Sequence, residues 1–336
     1  MNEIFFPTCC VLEMSAEESA ITRSAPPNKV LLMGRAGAGK TSMRSIIFAN
    51  YGAKETGRLH PTNQVEHSSF RFMGNLMLSL WDCGGQDVFM ENYFESQKEH
   101  VFRSAMILIY VLSSAALEGP DSAKELSYFK NTVDSLRQLS PNAKIYVLVH
   151  KSDLIPPSDR AAAFAKTSTT LKTMASGIST ECFLTSIWDE TLYKAWSRIV
   201  HSLMPNMDLL EKELGFIAET IEADEVVLFE KSTFLVIANA TRKSFTDSLR
   251  FEKISNIVKQ FKLGVNREHN TFNTLDLKTG SFRAYMDRFT PNTFILVVTS
   301  KKDIQPAATV CNISAARAHF MKLRQDVREG SLGMYL

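Results

Sequence analysis

The octapeptide Gly34-Arg35-Ala36-Gly37-Ala38-Gly39-Lys40-Thr41 has the residue types, at the spacing G-x-x-x-x-G-K-[ST], of a loop that wraps phosphate. Its glycines allow a backbone curl tight enough to aim several N–H groups at one anion. In such a loop Lys40 reaches the β- and γ-phosphate oxygens, the Thr41 hydroxyl holds Mg2+, and Ser42 adjoins the phosphates in the first helical turn. The flanks fit: an apolar run over residues 29–33 leads in. Residues 41–51 then read as a helix whose dipole adds positive potential behind the phosphates. The stretch predicts a nucleoside triphosphate site, with residues 35–42 on its phosphate side.

A second and a third stretch supply chemistry around a γ-phosphate. Asp82, in Trp81-Asp82-Cys83-Gly84-Gly85-Gln86-Asp87, follows a buried strand, where a carboxylate reaches Mg2+ directly or through a water. Gly85 can bring its N–H against the γ-phosphate, and the Gln86 amide can orient an attacking water. Pro61-Thr62 lies in a polar segment, residues 52–66, that has no hydrophobic face and reads as a mobile loop. The Thr62 hydroxyl is expected to complete the Mg2+ shell when γ-phosphate is present, as in a nucleotide-sensing switch. Thr56, in the same segment, is a further candidate for the ribose or phosphates.

The base is read elsewhere. His150-Lys151-Ser152-Asp153 ends an apolar strand, the place where open α/β sheets bind ligands. The Asp153 carboxylate can accept from N1–H and the 2-amino group of guanine. Adenine lacks that donor pair, and unmatched buried partners discriminate by roughly 10⁴. The Lys151 stem can lie along the base, and Ser186-Ile187, ending the next strand, offers a backbone N–H for guanine O6. GTP and GDP are the expected ligands.

These stretches need a frame. Strand-like runs over residues 29–33, 67–72, 76–81, 105–112, 143–149 and 181–185 alternate with helical spacing over 41–51, 121–139, 158–174 and 190–203. Gly74-Asn75 makes a plausible hairpin turn. That rhythm predicts a mostly parallel sheet flanked by helices. Pro205 breaks it. Beyond lie strand runs over 225–229, 233–239, 271–277, 282–289 and 293–299, with helices over 209–221, 248–261 and 309–323. Adjacent strand pairs predict an antiparallel sheet with helices on one face.

Bulk numbers agree. At 336 residues, 45% hydrophobic and 22% charged, the chain has length and core for two domains. A net charge of +2 without a long basic block argues against a nucleic-acid groove. The five cysteines (9, 10, 83, 182 and 311) fit neither a zinc site nor a disulfide frame, as expected of a reduced, cytosolic chain. No apolar run has transmembrane length and no signal-peptide pattern opens the chain, so no direct membrane insertion is expected.

Residues 29–51, the Trp81 to Asp87 string with Phe89-Met90-Glu91-Asn92-Tyr93-Phe94, His150-Lys151-x-Asp153, and Thr185-Ser186-Ile187-Trp188-Asp189-Glu190-Thr191-Leu192-Tyr193-Lys194-Ala195-Trp196 resemble Rag GTPases of the RagA/RagB branch, its fungal members included. Ile221-Glu222-Ala223-Asp224-Glu225-Val226 through Ala238, and Phe251-Glu252-Lys253-Ile254-Ser255-Asn256-Ile257, resemble that family's carboxy-terminal half. The resemblance implies a P-loop GTPase domain over 28–204, with helices on both faces of its sheet. An α+β roadblock/longin-like domain would follow over 205–325, with a flexible extension at 1–27 and a tail at 326–336. It implies an obligate heterodimer with a RagC/RagD-type partner, a GTPase-activating complex, a membrane-anchoring scaffold complex, and TOR complex 1, activated by the GTP form in response to amino acids. The location implied is cytoplasmic, at the cytosolic face of the vacuolar or lysosomal membrane, with the nucleus as a further site.

Three positions depart from most small GTPases. His150 stands where most have Asn, although the Rag family has His and imidazole can still donate one hydrogen bond. Ala36 stands where fast-hydrolysing relatives often carry Gly, and its methyl is expected to crowd the γ-phosphate and slow turnover. The charge of Arg35 is expected to be solvated. An Arf-type trafficking GTPase shares Trp-Asp-x-Gly-Gly-Gln but normally has an acylated amphipathic N-terminus and no second domain. A constitutive scaffold with a fixed, structural nucleotide is the remaining alternative, and a small-molecule kinase lacks an acceptor site here.

Overall fold

The computed structural model describes residues 28–62, 65–71, 77–204, 207–243, 250–267, 274–301 and 304–329. The expected turn at Gly74-Asn75 and the extension at 1–27 lie outside the described residues. The first half contains strands β1 (Asn28–Met33), β2 (Val65–Arg71), β3 (Met77–Cys83), β4 (Ala105–Ser113), β5 (Lys144–His150) and β6 (Thr180–Thr185). Its helices are α1 (Lys40–Phe48), α2 (Asp87–Phe94), α3 (Lys98–Phe102), α4 (Ser122–Leu139), α5 (Arg160–Met174) and α6 (Thr191–His201). The strands form one sheet in the order β2-β3-β1-β4-β5-β6, and β2 alone runs antiparallel to its neighbour.

Strands β1, β4 and β5 are apolar at consecutive positions, so both faces of the sheet must be covered. Helices α1 and α6 cover Val30, Leu32, Ile107, Ile109 and Leu148 on one face. Helices α2 to α5 cover Leu31, Met33, Leu108, Tyr110, Ile145 and Val147 on the other. Periodicity did not reveal α2 and α3, which are short; among the described side chains they bury Met90, and Val101 with Phe102.

The segment after α1 is not the unanchored loop its composition predicts. Ala53–Arg58 form a short 3-10 helix. The Gly52 N–H donates to the Glu55 carboxylate (2.7 Å), and the hydroxyl of buried Thr56 donates to the Ala53 carbonyl (2.8 Å). Local side-chain-to-backbone bonds replace the missing hydrophobic face.

The second half holds α7 (Met207–Thr220), β7 (Glu225–Glu230), β8 (Val236–Thr241), α8 (Arg250–Arg267), β9 (Thr274–Lys278), β10 (Arg283–Thr290), β11 (Thr293–Thr299) and α9 (Pro306–Glu329). The sheet order is β8-β7-β11-β10-β9, antiparallel throughout. Its helices lie on both faces rather than one. Helices α7 and α9 pack on the side of Val226, Leu228, Ile295 and Val297. Helix α8 packs on the side of Val227, Phe229, Phe294 and Leu296. The reason is in β7 and β11, whose successive apolar residues leave no solvent face. This antiparallel sheet with flanking helices is an α+β domain of the roadblock/longin-like kind.

Helix α6 joins the halves. Its Trp196 and Ile199 belong to the same continuous core as Leu210, Leu214 and Leu235. Ser197 Oγ accepts from the Val236 N–H (3.2 Å). Among the described residues, no helix is long and apolar enough to cross a membrane.

Candidate nucleotide site

The phosphate loop leaves β1 and enters α1 through Gly39, whose backbone is left-handed (φ 100°). A Cβ there would lie 2.7 Å from the His150 ring, so both the turn and the close approach require glycine. Lys40 is buried and folds back over the loop, its Nζ donating to the carbonyls of Gly34 (2.6 Å) and Arg35 (3.1 Å). Burial lowers its pKa, opposed chiefly by the charge of Asp82.

Beside it opens a cavity of about 340 Å³. Ala36, Gly37, Gly39, Lys40, Thr41 and Ser42 line one side, Thr56, Leu59, His60, Pro61 and Thr62 another, with Gly85, Gln86 and Lys151 completing the wall. The sequence-predicted phosphate and switch residues thus meet in one place. Arg35, Ala38, Asp82, His150, Asp153, Ser186 and Ile187 are not among the lining residues. Thr56 lines the cavity, although its hydroxyl is already engaged by Ala53.

Oxygen atoms converge below the cavity. Thr41 Oγ1 lies 2.6 Å from Thr62 Oγ1 and donates to Asp82 Oδ2 (3.1 Å). Asp82 is fully buried, and its Oδ1 has no hydrogen-bond partner among the described residues. Burial raises its carboxyl pKa, against Arg44 (Nε at 3.1 Å), Lys40 and the Thr41 bond. Two hydroxyls and an incompletely partnered carboxylate are hard donors of the kind Mg2+ takes. Arg44, which also pairs with Glu66 (2.8 Å), was not foreseen, although it sits one helical turn beyond Thr41.

Gly85 presses on the phosphate loop. Its carbonyl accepts from the Ala36 N–H (2.6 Å), and a Cβ would come within 2.4 Å of the Arg35 carbonyl carbon. Gln86 follows, exposed at the cavity rim.

The residues predicted to recognise the base cluster at the ends of β5 and β6. His150 is buried, with Nδ1 3.0 Å from Thr185 Oγ1, and burial followed by the charge of Lys151 pushes its pKa down to about 4. The ring is neutral at physiological pH. Ser186 Oγ donates to Asp153 Oδ1 (2.6 Å), orienting an exposed carboxylate. The Ser186 N–H donates to Thr191 Oγ1 (3.0 Å), so of the Ser186-Ile187 pair predicted to offer a backbone N–H to guanine O6, the first is already engaged.

One expectation fails. The Arg35 guanidinium is not merely solvated: it pairs with Asp87 (Nε–Oδ1, 3.6 Å) and Asp121 (Nη1–Oδ2, 3.2 Å), side chains brought close only by the fold.

The family described as Gtr1/RagA G protein conserved region matches residues 29–258. Ras-related GTP-binding protein A of Dictyostelium discoideum is 48% identical over 294 residues, covering 88% of this chain and 97% of that protein. Ras-related GTP-binding protein B of Rattus norvegicus is 46% identical over 334 residues, covering 91% and 88%. A more distant relative is human Ras-related GTP-binding protein C, 25% identical over 219 residues, covering 62% of this chain and 52% of that protein. The chain belongs to the Gtr1/RagA family of G proteins and is a GTP-binding GTPase of the RagA/RagB branch.

Proposed function

We propose that this chain is a guanine-nucleotide switch that pairs with a RagC/RagD-type GTPase and, in its GTP form, recruits and activates TOR complex 1 in response to amino acids. The observation that carries the reading is the meeting of Thr41, Thr62 and Asp82 oxygens beside the phosphate cavity. They join the phosphate loop to the segment that must sense the γ-phosphate. In this reading Thr41, Thr62 and Asp82 hold Mg2+, which neutralises charge on the phosphates when bound. Lys40 and the N–H groups of Gly37 and residues 39–42 hold the phosphates, the Ala36 N–H being taken by the Gly85 carbonyl. Asp153, set by Ser186, reads the guanine edge, with Ile187 at O6, Lys151 along the base and neutral His150 supporting Gly39.

Gln86 orients the attacking water, and Ala36 keeps intrinsic turnover slow. A GTPase-activating complex supplies the missing acceleration, by roughly 10³–10⁵. The partner-binding surface of the reading is the outer edge of β9, which no described strand pairs, beside exposed Ile257, Phe261 and Leu277. A membrane-anchoring scaffold complex holds the heterodimer at the vacuolar or lysosomal surface.

The test is made on the heterodimer. Gln86→Leu is expected to retain GTP under activator and to capture TOR complex 1 as the wild type does with a non-hydrolysable GTP analogue. Equal capture in the GDP and GTP-analogue forms, or an adenine nucleotide in the purified protein, would sink the reading.

A further inference from the structure

Asp87, the first residue of α2, is a point where three elements meet. Its carboxylate accepts from Lys124 Nζ (2.7 Å) and from the Tyr128 hydroxyl (3.2 Å), both on α4. Arg35 of the phosphate loop lies 3.6 Å from the same carboxylate and reaches Asp121 at the start of α4. Gln86 is the residue immediately before Asp87. One position earlier, the Gly85 carbonyl accepts from the Ala36 N–H at 2.6 Å. The backbone that carries Gln86 is therefore held on both sides. A main-chain bond ties it to the phosphate loop, and a polar clamp grips the side chain that follows.

Stability does not account for this convergence. Asp87, Lys124 and Asp121 are all at least 40% exposed at the side chain, and exposed ion pairs contribute little to folding. An acidic first residue already suits the α2 dipole without Arg35 or Lys124. The geometry has a more specific consequence. A glutamine side chain turns about several bonds, so its amide reaches a fixed point only if its backbone is fixed. A displacement of about 1 Å can cost a catalytic arrangement about 10²-fold in rate.

We propose that Asp87 is a positioning residue for GTP hydrolysis: by tying α2 to Arg35 of the phosphate loop and to Lys124 and Tyr128 of α4, it fixes the backbone from which Gln86 reaches the attacking water. This rests on the water-orienting role given to Gln86 above. Hydrogen bonding from Lys124 holds the Asp87 carboxyl below the usual range, so the clamp stays charged at physiological pH. Arg35 is the phosphate loop's half of the clamp rather than a phosphate ligand. The second loop position thereby becomes a determinant of hydrolysis.

The experiment uses the full chain with its partner, preloaded with GTP, and reads single-turnover hydrolysis beside release of a fluorescent GDP. Asp87→Asn is expected to slow hydrolysis about five- to tenfold while GDP release changes less than about twofold. Lys124→Gln, on the solvent face of α4, is expected to slow hydrolysis in the same direction with no cost to folding. Raising salt from about 0.1 to about 0.5 M should slow the wild type but not Asp87→Asn, since screening weakens only an intact clamp. Combining Arg35→Gln with Asp87→Asn should cost no more than the larger single effect. Hydrolysis within about twofold of wild type in Asp87→Asn and Lys124→Gln overturns the clamp. So does a loss of GDP retention as large as the loss of rate. Gln86→Leu is the control: if it hydrolyses normally, the role of Gln86 fails; if it is inactive while the clamp variants are normal, the clamp alone fails.

Discussion

At the scale of single residues, His150 shows how a fold sets the chemistry of a side chain. Its ring lies against Gly39, in a place too dry for charge, and its pKa falls to about 4. In the unfolded chain the imidazole titrates near pH 6.5, so between about pH 6.5 and 4 the unfolded state binds the extra proton. The stability contributed by neutral His150 is therefore complete above pH 6.5 and is lost as pH falls towards 4. Lowering pH from about 7.5 to about 5.5 should cost about 1 kcal/mol from this group. Denaturant unfolding at the two pH values should show that loss in the wild type and a smaller one in His150→Asn; equal losses would remove the assignment. Thr41, Asp82 and Asp153 were legible because loop spacing and strand ends are local signals. Arg35 was not, since its role depends on Asp87 and Asp121, which only the fold brings near it. Gly85 was legible as a close-approach glycine, but not that its carbonyl would hold the phosphate loop through the Ala36 N–H.

At the scale of elements, α1 is held at both ends. Its N-terminus carries the phosphate loop, and its last turn is met by α8 of the second half. Lys259 is buried, its Nζ donating to the carbonyls of Ile46 (2.5 Å) and Ile47 (3.0 Å), with the Tyr193 ring centroid 5.4 Å away. Carbonyls in a last helical turn lack partners of their own, and a cation there also answers the dipole. Lys259→Met should leave both carbonyls buried and unpaired, costing about 2–4 kcal/mol. The GDP-bound melting temperature should fall by about 5–10 °C. A thermal scan showing a drop below about 2 °C would mean that the contact does not bind the halves together. Helical spacing revealed α1, α4 and α6 because each buries one apolar stripe. It could not reveal that α6 serves two sheets at once, nor that a lysine in α8 would be buried, because both follow from how the halves meet. The second sheet was misread as one-sided for a related reason: β7 and β11 are short apolar runs, and a run shows burial without saying what covers each face.

At the scale of the molecule, the second half ends in an unfinished surface. Strand β9 closes the sheet with one neighbour, β10, and its outer backbone groups meet no described strand. Ile257 is 68% exposed, Phe261 51% and Leu277 47%. Leu277 pairs with Ala284, which packs under α8, so the exposed leucine lies on the same side of the sheet as that helix. A sheet edge flanked by apolar side chains is a template for a further strand and a further helix. The charged neighbours Asp276 and Lys278 limit indiscriminate pairing, which favours one matched partner over self-association. The double substitution Ile257→Asp with Leu277→Asp should therefore weaken the proposed pairing with a RagC/RagD-type chain by about 10²-fold or more, since buried anchors near an interface centre contribute most of its energy. Guanine nucleotide affinity should stay unchanged, because neither residue touches the first half's cavity. Co-expression and size-exclusion chromatography, with nucleotide analysis of each peak, separates the outcomes. Dissociation with nucleotide retained supports the assignment, whereas an intact heterodimer moves the interface elsewhere and leaves β9 a solvated edge.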